Sequence, residues 1–296
     1  MFGPNVVADG TGACYHHREP AFHRLLDSLE REMAERFGLD DYRFLFVAGS
    51  GTTANEAVIH SWRHRFRYLF ADAEFGVRLR RIGEAHPRPA AQPKERFVAY
   101  PYYETSISRV NRWTQPDETE ACLVDMVSAF PYYRPPAGTA VWTTVSSKQL
   151  GAYPVVGIIA VHRAADIDAY VHESPAQGSA LSLSSYLRFA ARHETPTTPP
   201  IFLLRDLLER LQRLDPAELR TRIDQRRRII EQLVPPEAMV GEGPVVTLKP
   251  LPPITAIAAA FRLYRGAYGY QIFLWSGTDA DYEMLYDSLE KCHAKP

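Results

Sequence analysis

The strongest constraint on this chain is a series of short apolar runs that do not alternate with polar residues. They lie at 44–47, 68–70, 97–99, 122–124, 141–145 and 155–161. A strand with one wet face alternates apolar and polar side chains, whereas an unbroken run belongs to a strand covered on both faces, as in a parallel sheet layered with helices. Helical patterning surrounds these runs. Phe22, Leu25, Leu26, Leu29, Met33 and Phe37 recur at the spacing of one helix face. A helix from about 53 to 65 follows the first run, with the capping-box spacing of Thr53-Ala54-Asn55-Glu56 at its start. The expected fold class is α/β, with a mainly parallel central sheet sandwiched by helices. No repeat of roughly 20 to 50 residues is visible, which sets solenoids and propellers aside.

After residue 200 the texture changes. Thr195-Pro196-Thr197-Thr198-Pro199-Pro200 cannot continue a helix, and two charged amphipathic helices are expected beyond it, at 201–213 and 216–233. A strand at 245–248, a helix from Thr255, a strand at 271–274 and a last helix at 279–292 would complete a small α+β domain. The expected division is 1–205 for the large domain, with its N-terminal segment, and 206–296 for the small one.

Charge and cysteine usage bound the partners. The formal net charge is −1 and no basic run exceeds Gln225-Arg226-Arg227-Arg228, which reads as a solvated helix face. There is no electrostatic case for nucleic acid or an acidic membrane. Cys14, Cys122 and Cys292 are odd in number and far apart, as in a reducing compartment. The sequence has no leader pattern and no apolar run of roughly 20 residues, so a soluble, cytoplasmic protein is expected.

Gly49-Ser50-Gly51-Thr52-Thr53-Ala54 joins a strand to a helix. Backbone amides at a helix N-terminus, with the dipole behind them, form an anion seat. The same turn fits the G-x-G-x-x-A dinucleotide fingerprint, and Asp72 stands about 20 residues on, where a ribose-binding carboxylate belongs. Two later strand ends bear on the choice. Asp125 closes the run at 122–124, and Lys148 follows the run at 141–145 through Ser146-Ser147. Of the five lysines, against 29 arginines, Lys148 alone follows an apolar β-branched segment. A lysine in an apolar pocket has a lowered pKa and attacks carbonyls. An acid, a lysine and a phosphate seat at successive strand ends meet the needs of pyridoxal 5'-phosphate: a Schiff base, a partner for the pyridinium nitrogen and a hold on the phosphate. Taken singly, each of these residues is more readily structural: a lone strand-end Asp is usually a turn former and a lone Lys an exposed one.

In order, Gly49-Ser50-Gly51-Thr52 through Glu56-Ala57, Glu74-Phe75-Gly76-Val77-Arg78, Glu104-Thr105-Ser106, Val124-Asp125-Met126-Val127-Ser128 and Ser146-Ser147-Lys148 resemble the successive motifs of class V aminotransferases. The branch resembled is that of the alanine:glyoxylate, 2-aminoethylphosphonate and phosphoserine enzymes, over about residues 3 to 210. The resemblance implies the fold-type I large domain and a homodimer with a shared active site. It implies that Ser50, Gly51 and Thr52 bind the cofactor phosphate, Phe75 and Val127 cover the two ring faces, Thr105 bonds near the phenolic oxygen and Asp125 pairs with the ring nitrogen. Lys148 would carry the Schiff base and shuttle the proton. Pro154 and Gly157 match residues after the family's lysine, and Thr197-Thr198-Pro199-Pro200 resembles the loop that reaches a partner's phosphate, through Thr198. The implied reaction moves an amino group between an amine or amino acid and a carbonyl compound. A lyase, decarboxylase or replacement enzyme on the same scaffold, a dinucleotide oxidoreductase and a non-catalytic descendant are the alternatives.

The sequence departs from that family where substrate binds. The family's terminal strand, with the arginine that clamps the substrate acid, is missing: Gln271-Ile272-Phe273-Leu274-Trp275-Ser276-Gly277 resembles the strand before it, and the last helix begins at Asp279. Arg109 and Arg134 are the expected substrate-binding replacements, alternatively plain surface arginines. Phe130, Tyr132, Tyr133 and Trp275 are expected to line an enlarged pocket if the substrate is larger and more apolar or lacks an α-carboxylate. No metal site is expected: His60 and His64 share helical spacing, but Ser61 breaks the metalloprotease pattern.

Overall fold

Six strands form the central sheet, and the layers on its two sides explain why the apolar runs do not alternate. The computed structural model describes residues 6–8, 14–90, 96–114, 121–172 and 180–293. A hairpin of β1 (Val6–Ala8) and β2 (Cys14–His16) leads to α1 (Pro20–Phe37), β3 (Tyr42–Ala48), α2 (Gly51–Ser61), β4 (Arg67–Tyr68), α3 (Glu74–Ala85) and β5 (Phe97–Pro101). An antiparallel pair, β6 (Tyr103–Glu104) and β7 (Arg109–Val110), is followed by β8 (Ala121–Asp125), β9 (Val141–Val145), β10 (Val156–His162), α4 (Ile167–Tyr170), α5 (Leu183–Ala190) and α6 (Ile201–Arg213). The spatial order is β3-β10-β9-β8-β5-β4. Strands β4, β5, β8 and β9 are parallel neighbours, and β10 runs against both β9 and β3. Strand β3 is therefore parallel to the others, and five carboxyl ends share one edge of the sheet.

In β3, Phe44 and Phe46 join the core built with α1 and α6, while Leu45 and Val47 join the core built with α2 and α5. Both faces are dry, as the unbroken runs predict. Phe22, Leu29 and Met33 of α1 are fully buried, each contributing about 1.5–3 kcal/mol relative to exposure. Helix α2 begins at Gly51, before the expected Thr53, because the capping box is Ser50 with Thr53. The Ser50 hydroxyl accepts from Thr53 N at 3.3 Å, and Thr53 Oγ1 accepts from Ser50 N at 3.2 Å. Helix α3 is not announced by the apolar pattern. Gly76 lies in its first turn, where an added Cβ would come 2.0 Å from the Phe70 carbonyl oxygen.

Helix α6 runs through the expected division at residue 205. Its stripe of Ile201, Leu204, Leu207 and Leu211 stays in the large core, and the small core begins with Leu219. The rest of the chain is α7 (Pro216–Leu233), β11 (Met239–Val240), β12 (Val245–Leu248), α8 (Pro252–Ala260), β13 (Tyr264–Arg265), β14 (Tyr270–Phe273) and α9 (Asp279–His293), with a wholly antiparallel sheet ordered β11-β12-β14-β13. The arginine stretch is not a solvated face throughout. Arg226 is buried, donating to the Leu274 and Ser276 carbonyls at 2.9 and 3.1 Å and to Asp279 Oδ1 at 2.8 Å, with Cζ 3.8 Å from the Tyr282 ring centroid. An always-charged fork can enter a core when backbone carbonyls satisfy it.

Candidate active site

The carboxyl ends of β3, β8 and β9 converge on a cavity of about 480 Å³, the crevice that open α/β sheets use for ligands. Ser50, Gly51 and Thr52 form its floor at the N-terminus of α2. The approach is close: an added Cβ on Gly51 would lie 2.3 Å from Val127 Cγ2, so only glycine lets α2 and the loop after β8 meet there. Thr105, Asp125, Val127 and Phe75 also line it, and Lys148 enters from the turn after β9. The cavity thus brings together eight of the expected residues.

Asp125 is held on both oxygens. Val127 N donates to Oδ1 at 2.9 Å, and Asn55 Nδ2 donates to Oδ2 at 2.8 Å. Asn55 is itself fixed by Thr143 Oγ1, which donates to Oδ1 at 2.6 Å. Burial pushes the Asp125 pKa up to about 6, against these donors. The carboxylate is thus oriented and in need of a cation. Lys148 has φ +58, a left-handed conformation that side chains rarely adopt, at the head of a short 3₁₀ turn closed by Gly151. Its pKa is lowered, first by burial and then by the Arg78 charge, while Asp125 opposes the shift. Nζ lies 5.5 Å from the Phe273 ring centroid.

Residues that sequence reasoning missed hold this arrangement. Glu104 is fully buried, and its carboxylate accepts from Phe75 N at 3.2 and 3.1 Å, from Gly76 N at 3.0 Å and from the Ser106 hydroxyl. It therefore ties the first turn of α3, with Phe75, to the cavity wall. Gln271 of β14 donates to the Thr105 carbonyl, and with Tyr264 and Phe273 it lines the cavity. The available signal for Asn55 was a polar residue among Ala54, Ala57, Val58 and Ile59; Glu104 stands in the motif Glu104-Thr105-Ser106, but its role depends on the position of α3.

The expected substrate arginines are elsewhere. Arg109 donates from both terminal nitrogens to Asp72, at 2.9 and 2.6 Å, and from Nε to Asn111 at 2.8 Å. Neither Arg109 nor Asp72 lines the cavity, so the carboxylate suited to a dinucleotide ribose is engaged outside it. Arg134 donates to the Phe37 and Gly38 carbonyls at the end of α1 and borders a different cavity. Phe130, Tyr132, Tyr133 and Trp275 do not line the site. Phe130 packs on Phe37 and Trp142, and Tyr132 donates to Asp224, because the loop after β8 turns back into the core. Thr198 is exposed in the loop before α6. A larger cavity of about 880 Å³, bordered by Arg43, Arg63 and Arg163, lies at the opposite end of the sheet and contains neither a lysine nor a glycine turn.

Many solved structures share this architecture, among them three aminotransferases. Aspartate aminotransferase of subgroup IV from Thermus thermophilus superposes with TM-score 0.77 at 16% identity, over 98% of this chain and 95% of that one. Phosphoserine aminotransferase from Bacillus circulans subsp. alkalophilus gives 0.77 at 12% identity, over 95% and 90%. Alanine–glyoxylate aminotransferase from Nostoc sp. gives 0.70 at 16%, over 96% and 90%. The fold is that of these aminotransferases. No protein-family profile and no curated protein matches the sequence, so the likeness lies in the path of the chain. No helix among the described residues is long and apolar enough to cross a membrane.

Proposed function

We propose that this chain is a pyridoxal 5'-phosphate-dependent aminotransferase that moves an amino group between a small amine or amino acid and a carbonyl compound. The observation that carries the reading is the convergence of Lys148, Asp125 and the α2 N-terminus on one cavity. The residues fit the cofactor. The N-terminus of α2 lines the cavity with Ser50, Gly51 and Thr52, and Asp125 is oriented by two donors, with no cation bonded to it among the described residues. Bound there, the cofactor supplies an aldehyde for an amine and a ring that withdraws electrons from the substrate carbon.

The protein's own part follows from its side chains. Ser50, Gly51 and Thr52 hold the phosphate, and Phe75 and Val127 confine the ring between them. Thr105 supports the phenolic side. Asp125 keeps a proton on the ring nitrogen by offering it a carboxylate. Lys148 Nζ, with its lowered pKa, would hold the cofactor at its aldehyde carbon and, once released by the substrate amine, would take a proton from the substrate carbon and return it. Two subunits share the site, each lending Thr198 to the phosphate of the other, in the reducing setting that the separated cysteines suit. Tyr103, whose hydroxyl donates to the Glu242 carbonyl at 2.7 Å, and Ser108, 2.6 Å from Thr247 Oγ1, keep the small domain seated over the cavity.

The test is a visible spectrum of the purified protein before and after borohydride, followed by amino donors. A band that borohydride removes, that donors bleach and that Lys148→Ala lacks is the expected result. A protein that takes up no cofactor, or a Lys148→Ala variant with an unchanged band, overturns the reading. Sedimentation distinguishes the dimer from a monomer.

A further inference from the structure

Five side chains of helix α3 line the cavity, Glu74, Phe75, Arg78, Leu79 and Ile82, and Arg78 stands one turn after Phe75. The guanidinium lies over the Phe75 ring, with Cζ 4.9 Å from its centroid, which orients the planar fork at the cavity wall. Among the described residues lining the cavity, Arg78 and Lys148 are the only lysine or arginine side chains. The wall from the small domain is neutral, made by Tyr264, Gln271 and Phe273. Arg109 is committed to Asp72 and Asn111, and Arg134 to α1. Among the described residues Arg78 has one ionic partner, Glu74 on the same helix, through a single Nη2···Oε1 contact of 2.8 Å between two half-exposed side chains. Exposed i,i+4 pairs of this kind are weak and give way to a better acceptor.

We propose that Arg78 recognises the carboxylate of the amino substrate, so that the cavity accepts amino acids in preference to simple alkylamines. This rests on the aminotransferase reading. A carboxylate can bond two nitrogens of the fork at once, where Glu74 uses one. The same charge lowers the Lys148 pKa, which shows the two groups to be within electrostatic reach, as an anchor and an amine acting on one small molecule must be.

The experiment uses cofactor-loaded wild type, Arg78→Gln and Arg78→Lys, with L-alanine and ethylamine as donors that differ by the carboxylate. Arg78→Gln should lower kcat/KM for L-alanine on the order of 10- to 100-fold more than for ethylamine, mainly through KM; Arg78→Lys should restore part of the difference. A titration without turnover accompanies it. Propionate should bind the loaded wild type more tightly than propanamide, and the advantage should vanish in Arg78→Gln. Equal losses for both donors, or propionate bound no better than propanamide by wild type, overturns the assignment and leaves the enzyme reading standing. Wild type with no visible band overturns both.

Discussion

Asp125 offers a measurement that tests the site without knowledge of the substrate. In the folded chain its pKa stands at about 6 against an ordinary value of 3.8, with burial as the first cause. A carboxyl raised on folding binds its proton more tightly in the native state. The stability it contributes is complete below about pH 4 and is lost as pH rises through 6. At 1.36 kcal/mol per pH unit, the displacement from 3.8 to about 6 amounts to about 3 kcal/mol. Urea unfolding of the cofactor-free protein between pH 4 and 7 isolates the effect when wild type is compared with Asp125→Asn, which cannot ionise. The difference, wild type minus variant, should fall by about 2–2.5 kcal/mol across that window, since part of the effect is already lost at pH 4. Adding the cofactor should abolish the fall, because a protonated ring nitrogen favours the ionised carboxylate. Parallel pH curves for the two cofactor-free proteins would refute the account of Asp125 as a desolvated acid awaiting a cation. A fall that persists in the loaded protein would refute its pairing with the ring.

Three further predictions concern the supporting residues. Asn55→Ala removes a hydrogen bond to an ionised carboxylate and strands Thr143; it should cost about 1.5–3 kcal/mol in unfolding free energy at pH 7 and weaken cofactor uptake measured by absorbance. Gly51→Val should destabilise by about 1–3 kcal/mol through its clash with Val127 and reduce phosphate-dependent cofactor affinity, and a normal affinity by titration would remove α2 from the phosphate seat. Arg226→Met leaves the Leu274 and Ser276 carbonyls without their donor and should lower stability by about 1–3 kcal/mol per stranded carbonyl; denaturant midpoints check this, and an unchanged midpoint would mean that water replaces the guanidinium.

Local pattern determined a large share of this protein. The doubly buried strands, the helices Ile201–Arg213 and Pro216–Leu233 and the strand Val245–Leu248 were legible because apolar period and proline position are properties of neighbouring residues. The glycine turn, Asp125 and Lys148 were legible too, since each closes or follows such a run. Helix α3 was less so, because glycine at its Phe70 contact lowers helix propensity and its packing against α2, β4 and β5 justifies it.

Tertiary structure alone decided where charge goes. Apolar pattern does not tell apart the fates of Arg109, which meets Asp72 across 37 positions, Arg78, which lines the cavity, and Arg226, which enters the small core. Side-chain partners at long range depend on how strands are ordered and how the small domain closes. A charge takes the site where its desolvation is best offset, and that site exists only once the layers have come together.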